Sequence, residues 1–246
     1  MPASAPRRIA VAVVAVIAAT LVVVLVLSTR TDALDWSSTH QVPRAEGRLD
    51  PGFHAPGVES FYSSQVIEPD PGTWTKVRPA SDYRVLVLAA GKDGHTAENP
   101  QVAILVAAVR RWADAEDRVT LKLRYLDDPT TYIQGLDSAA RKDHADLIIT
   151  AGNSLVDPVA AVSANYAGEN PQQFLVLGAE VAEPTANIAA TDWIGSAYLG
   201  EGLEESRFYH PSAVTATRAY AALRAGVAAV LTGYRSVIVR ISTDHY

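Results

Sequence analysis

The sequence predicts an α/β protein: a doubly wound, mostly parallel sheet of about six strands, preceded by one transmembrane helix and an extended stalk. Three observations carry this. From Tyr83 onward, short apolar runs alternate with amphipathic stretches, and strands alternating with helices imply crossover connections and helices on both faces of a parallel sheet. Ile9 to Leu27 is an uncharged apolar run with a single hydroxyl, Thr20. Between the two, Pro43, Pro51, Pro56, Pro69, Pro71 and Pro79 interleave with Gly47, Gly52, Gly57 and Gly72, and no apolar period survives. The implied organisation is a cytoplasmic N-terminus over 1–8, an anchor over 9–28, a stalk over 29–80 and an α/β domain over 81–246.

The anchor follows from length. A helix of about 19 residues rising roughly 1.5 Å each crosses a bilayer core of about 30 Å. Arg7 and Arg8 precede it and Arg30 follows with Asp32, so the positive-inside bias leaves the N-terminus cytoplasmic and the rest outside. The rival is a cleaved signal peptide, whose apolar core is shorter and ends in a small-x-small site; "STRTDALD" offers none. In the stalk, proline cannot continue a helix or a central strand, which predicts an extended tract. Trp36, Phe53, Phe61, Tyr62 and Trp74 are unusual for a linker and are expected to pin parts of it to the folded domain or to a partner.

The domain elements follow in order. "YRVLVLAAG" is a strand ending in a turn. Asn99 caps and Pro100 starts a helix with Val102, Leu105, Val109 and Trp112 on one face. "RVTLKLRYLD" alternates with period two, as a sheet-edge strand does. Thr131 to Lys142 reads as a short helix. "DLIIT" is a buried strand, Gly152-Asn153-Ser154 a polar turn, and Asp157-Pro158 the opening of the next helix. "QQFLVLGAE" and "NIAATDW" are two more strands. Ser212 is expected to cap a helix carrying Tyr220, Leu223, Val227 and Val230, and "RSVIVRIS" is the last strand.

Composition narrows the function classes. Apolar residues make up 48%, sufficient for a packed core. A net charge of −6 argues against a nucleic-acid binder, which needs a basic face to displace counterions. The absence of cysteine removes disulfides, thiolate metal sites, cysteine nucleophiles and lipid attachment through cysteine. The six histidines are scattered without metal-ligand spacing, and no cofactor or metal is expected.

In such sheets a ligand sits beyond the carboxyl ends of the strands, where strand order reverses. That rule nominates Gly91-Lys92-Asp93-Gly94-His95, Gly152-Asn153-Ser154, Gly178-Ala179-Glu180 and Thr191-Asp192-Trp193. The same residues also serve as plain turns and caps in α/β folds. "AAGKDGHT" lacks the leading glycine and trailing hydroxyl of a P-loop. Gly152-Asn153-Ser154-Leu155-Val156 is half of a nucleophile elbow, with Val156 where the closing glycine belongs. Asp192 and His210 follow in triad order, but no oxyanion-loop glycine cluster accompanies them.

The stretch from Ala145 to Ala190, "ADLIITAGNSLVDPVAAVSANY" and then "QQFLVLGAEVAEPTANIAA", resembles the first lobe of the basic membrane protein family. These are type I periplasmic-binding-protein-like lipoproteins, often nucleoside receptors of ABC importers. There a "DLIIGxG" strand leads into a helix, then a "kFxxiD" and an "NVxxx" strand. Gly226 to Ser242, "GVAAVLTGYRSVIVRIS", looks like the helix and strand that precede the second lobe. The likeness touches about a third of the chain. This chain departs from the pattern in lacking an acylated cysteine and in carrying Gly91 to Pro100 where the family's first ligand motif falls. Glu180 is the nearest candidate for the family's fourth-strand acid. The chain stops at Tyr246, where a second lobe would begin.

The resemblance implies a membrane-anchored, extracytoplasmic, non-catalytic binding domain for a small, nucleoside-like solute, or an accessory or sensing component of a transporter. Asn153, Ser154, Glu180 and Asp192 are the expected hydrogen-bonding groups, Trp193 a stacking wall, and Lys92 and Asp93 contributors from the first strand's loop. A homodimer could supply the missing wall. The alternative is an envelope protein–protein interaction module with a decayed ligand site; a third is an esterase-like hydrolase using Ser154.

Overall fold

The computed structural model describes residues 36, 44–54, 65–196 and 209–246. The expected cytoplasmic N-terminus and anchor lie outside the described residues, as do Phe61 and Tyr62. Among the described residues no helix is long and apolar enough to cross a membrane.

The core is one seven-stranded sheet in which every pairing is parallel. Its strands are β2 (Gln65–Ile67), β4 (Tyr83–Ala90), β5 (Val119–Leu126), β6 (Leu147–Ala151), β7 (Gln173–Leu177), β8 (Ile188–Asp192) and β9 (Val237–Arg240), in the spatial order β2-β9-β8-β7-β6-β4-β5. A two-stranded antiparallel ribbon, β1 (Ala45–Glu46) with β3 (Arg78–Pro79), stands apart.

A parallel sheet buried on both faces needs apolar side chains at successive positions, and β4, β6, β7 and β8 are buried at every residue. The period of two sorts these residues into two layers. Val85, Val87, Ala89, Leu147, Ile149, Leu175 and Val237 pack with α1 (Pro100–Ala115) and α4 (Ala216–Leu231). Leu86, Leu88, Ile148, Phe174, Val176 and Ile238 pack with α2 (Tyr132–Lys142) and α3 (Val156–Ser163). The strand β5, half-buried throughout and bonded only to β4, is the expected edge strand.

The expected stalk is corrected. Residues 65–67 form the seventh strand, with Val66 opposite Ile238 on β9. Phe53, Trp74 and Val77 are buried in the main core, and Trp36 is buried in the opposite layer, so the folded unit begins at Trp36 rather than at 81. Glu46 accepts from Arg78 at 2.7 Å and Arg118 at 2.6 Å, and Arg224 donates to the carbonyls of Thr75 and Val77. Pro51, Gly52, Pro71 and Gly72 lie in turns between these contacts. The aromatics decide the outcome, because each buries about 150–250 Å², which a free linker would leave in water.

Two local expectations also shift. Asn99 caps α1 through Val102 N at 2.9 Å, as its position before Pro100 suggests. Ser212, by contrast, lies inside a 3₁₀ turn, Pro211–Ala213, and α4 is capped by Thr215, whose hydroxyl accepts from Arg218 N at 3.3 Å. Either hydroxyl could cap; the turn carries Ser212 past the helix start.

At the amino end of the sheet, the Arg84 guanidinium donates twice to Asp146, at 3.1 and 2.8 Å, and the Arg84 backbone N–H donates to the same carboxylate at 2.8 Å. Asp146 is 3% exposed. A charge this buried is tolerated only when fully paired, so the pair sets where β4 and β6 enter the sheet.

On the α4 face, Gly226 allows close approach: an added Cβ would stand 2.4 Å from Thr191 Cγ2 and 2.8 Å from Leu175 Cδ1. Overpacking of this kind costs about 1–3 kcal/mol. Gly226→Val is therefore expected to lower the melting temperature by several degrees, with Gly168→Ala, at a site with open space around it, nearly neutral. Arg84→Met is expected to cost about 3–5 kcal/mol in urea denaturation, and Arg84→Met with Asp146→Leu to recover most of it, since the second change removes the stranded charge.

Candidate functional site

Strand β4 lies between β5 and β6, so the chain runs outward in both directions from this point, and the strand order reverses at the carboxyl ends of β4 and β6, where open α/β sheets hold their ligands. The first loop on that rim is Gly91 to Asn99. The Asp93 carboxylate accepts from His95 N at 2.9 Å and Thr96 N at 2.6 Å. The Thr96 and His95 bonds hold the Asp93 carboxyl below the usual carboxylate range. Asp93, expected as a ligand group, thus shapes its own loop, with Lys92 exposed beside it. Gly91 is needed here because an added Cβ would lie 2.6 Å from Asp127 Oδ1 and 2.7 Å from Tyr125 Cβ.

The second loop follows β6. Gly152 takes φ +81°, a left-handed conformation that favours glycine, and its N–H donates to Leu177 O at 2.9 Å. This turns the chain so that the Ser154 hydroxyl donates to Glu98 Oε1 at 2.6 Å. The Asn99 side-chain amide donates to the same oxygen at 3.3 Å. Asn153 and Ser154 are both half-buried on this rim, and Asn153 O accepts from Val156 N as α3 begins. Glu98, absent from the expected set, therefore joins the two loops of this rim. Its signal in the sequence is slight: a carboxylate just before a helix cap, downstream of the first strand.

The other expected residues form a separate cluster beyond β7, β8 and β9. Asp192, 4% exposed, accepts from Arg240 Nε at 3.1 Å and from its terminal nitrogen at 2.6 Å; Glu180 lies 3.5 Å from that nitrogen. Burial pushes the Asp192 carboxyl up, against the pull of the Arg240 hydrogen bonds. Burial, then repulsion from Asp192, pushes Glu180 up as well. Arg240 was not in the expected set, because an arginine ending the last strand has no motif to mark it.

Trp193 does not form an open stacking wall. It is buried, its indole N–H donates to Ala213 O at 2.9 Å, and its ring edge would stand 3.4 Å from a Cβ placed on Gly178. Only Ile194 beside it is open, 72% exposed. Two strand spacings, about 10 Å, separate β6 from β8, so the expected residues divide between two sites. The triad order is not assembled either. Ser154 gives its hydroxyl to Glu98, Asp192 is held by Arg240, and the His210 backbone N–H donates to Gly195 O. Among the described residues, no group of three or more His, Cys, Asp or Glu side chains is set to hold a metal ion.

No protein-family model matches the chain, and no curated protein matches it. Among solved structures, it is similar to a solute-binding protein of an ABC transporter system from Aeropyrum pernix K1, at 21% identity and a TM-score of 0.38. It is also similar to a solute-binding protein of an ABC transporter system from Conexibacter woesei DSM 14684, at 20% identity and a TM-score of 0.33. Each match covers 46% of this chain, and 29% and 35% of the respective neighbours. The chain therefore spans about a third of the length of these neighbours.

Removing the guanidinium tests the second cluster. Both carboxyls have raised values in the fold, so their contribution to stability is greatest below the unfolded carboxylate range and is lost as pH rises through the folded values. Arg240→Met deepens that loss by leaving Asp192 ionised and unpaired. Urea denaturation at pH 7 is expected to show a cost of about 2–4 kcal/mol, shrinking as pH falls and the raised carboxyls take up protons.

Proposed function

We propose that the domain is a non-catalytic solute-binding module, held at the outer face of a membrane by the apolar segment at 9–28. The observation that carries this reading is the reversal of strand order at β4. Two loops from neighbouring strands bring Asn153, Ser154 and Glu98 to one rim there, where open α/β sheets hold their ligands. A transporter or envelope protein is the natural recipient of the solute. The resemblance of Ala145 to Ala190 to the basic membrane protein family favours a nucleoside-like solute.

A second reading draws on a different observation. Asp192, Glu180 and Trp193 are engaged in internal contacts, which leaves the β7–β9 end of the rim structural and favours an envelope interaction module whose ligand site has decayed. The esterase-like reading draws no support from the geometry, since neither Ser154 nor Asp192 is paired with His210.

A thermal-shift panel of nucleosides, sugars and amino acids separates the first two readings. A ligand at 100 times its dissociation constant adds about 2.7 kcal/mol, a shift of several degrees for a domain of this size. At least one compound class is expected to stabilise the parent chain, and Glu98→Gln and Ser154→Ala to weaken that shift at least tenfold in ligand concentration. No shift across the panel supports the interaction module.

A further inference from the structure

Glu98 differs from every other inward-lying carboxylate among the described residues. Each of the other aspartates and glutamates that is buried or half-buried there faces a lysine or arginine, at 2.6–3.5 Å. Such pairing is the rule because a charge drawn out of water is costly unless compensated. Glu98 is half-buried and faces none. Its Oε1 accepts from the Ser154 hydroxyl at 2.6 Å and from the Asn99 amide at 3.3 Å, and its Oε2 accepts from no described group. Lys92, exposed in the same loop, makes no ion pair with it.

This carboxylate is firmly mounted. Glu98 N donates to Ala90 O at 2.9 Å, and Gly91 pairs with Ala97 across the loop. Asn99 caps α1 through its Oδ1 while its amide holds Glu98, so the helix start orients the carboxylate. The loops 91–99 and 127–128 around it carry the carboxylates Asp93, Glu98, Asp127 and Asp128 against one lysine, Lys92. Asp127 reaches the first loop, its Oδ1 2.6 Å from where a Gly91 Cβ would stand. A surface lined by one sign of charge concentrates the opposite ion and repels its own.

Resting on the solute-binding reading of this rim, we infer that the solute presents a cationic amine to Glu98, as arginine and lysine do to the other inward carboxylates. An ammonium has only donors to offer, and Oε2 has only acceptor sites to fill. It also brings the positive charge that this carboxylate lacks. Among nucleoside-like compounds the rim therefore favours an amine-bearing one over its neutral parent, and the neutral parent over a phosphorylated one.

Two matched sets of probes test the preference by titration calorimetry on the full chain in nonionic detergent. One is 5′-amino-5′-deoxyadenosine, adenosine and adenosine 5′-monophosphate; the other is glucosamine, glucose and glucose 6-phosphate. In at least one set the amine is expected to bind about tenfold more tightly than the neutral compound, the scale of a hydrogen bond to a charged group, and the phosphate more weakly than either. Glu98→Gln keeps the side chain's shape and removes its charge, so amine and neutral compound are expected to come within about twofold of each other. In the parent chain the amine's advantage is expected to shrink between about 0.1 M and about 1 M salt, as the screening length falls from about 10 Å to about 3 Å. Neutral or phosphorylated compounds binding as tightly as the amine, or a preference that survives Glu98→Gln, would overturn the inference and leave solute binding intact. No binding by any of the probes would overturn the solute-binding reading on which the inference rests.

Discussion

Burial of a parallel sheet on both faces is the constraint on which the rest of this molecule depends. Four neighbouring strands carry no exposed residue, so almost every polar group is driven to the two ends. At the amino end this produces one buried ion pair, Arg84 with Asp146, whose members satisfy each other and a backbone N–H. At the carboxyl end it produces two polar clusters, Glu98 with Ser154 and Arg240 with Asp192 and Glu180. The middle of the sheet has no room for chemistry. Function, if carried by polar side chains, belongs to the carboxyl rim.

The two rim clusters differ in physical character. The Glu98–Ser154 contact joins half-buried groups on loops, and a carboxylate and a hydroxyl each have more acceptor sites than this one bond uses. The Asp192–Arg240 contact is a charge pair drawn into the fold, where burial raises the carboxyl and the guanidinium lowers it again. A group already spent on holding its neighbour has less to offer a ligand. The proposed recognition site therefore lies on the rim beside β4, while the contacts of Asp192 and Arg240 hold the β7–β9 end together.

The segment before the domain illustrates how aromatic burial outweighs local signals. Proline and glycine spacing reads as an extended tract, whereas the described residues between 44 and 80 form two- and three-residue strands separated by turns and bends. Yet Trp36, Phe53 and Trp74 are buried, and Gln65–Ile67 completes the sheet beside β9. Local backbone preference says which conformations are open to a segment; the apolar area available nearby says which of them is occupied.

The alternating pattern from Tyr83 onward was enough to determine the α/β class, the strand and helix order and the edge position of β5, because periods of two and 3.6 record which faces are buried. Gly152-Asn153-Ser154 was legible as a strand-end turn for the same reason. Its partner was not. Glu98 lies 56 positions away in the chain, and no local pattern encodes which carboxylate a serine will meet. Asp192 and Trp193 show the converse: their residue types suit a ligand, but only packing could reveal that Arg240 and Ala213 O already occupy them. Sequence determines the periodic, local part of this protein, since each residue's own neighbours carry that information. Tertiary structure decides which polar groups remain available, since that depends on contacts between segments far apart in the chain.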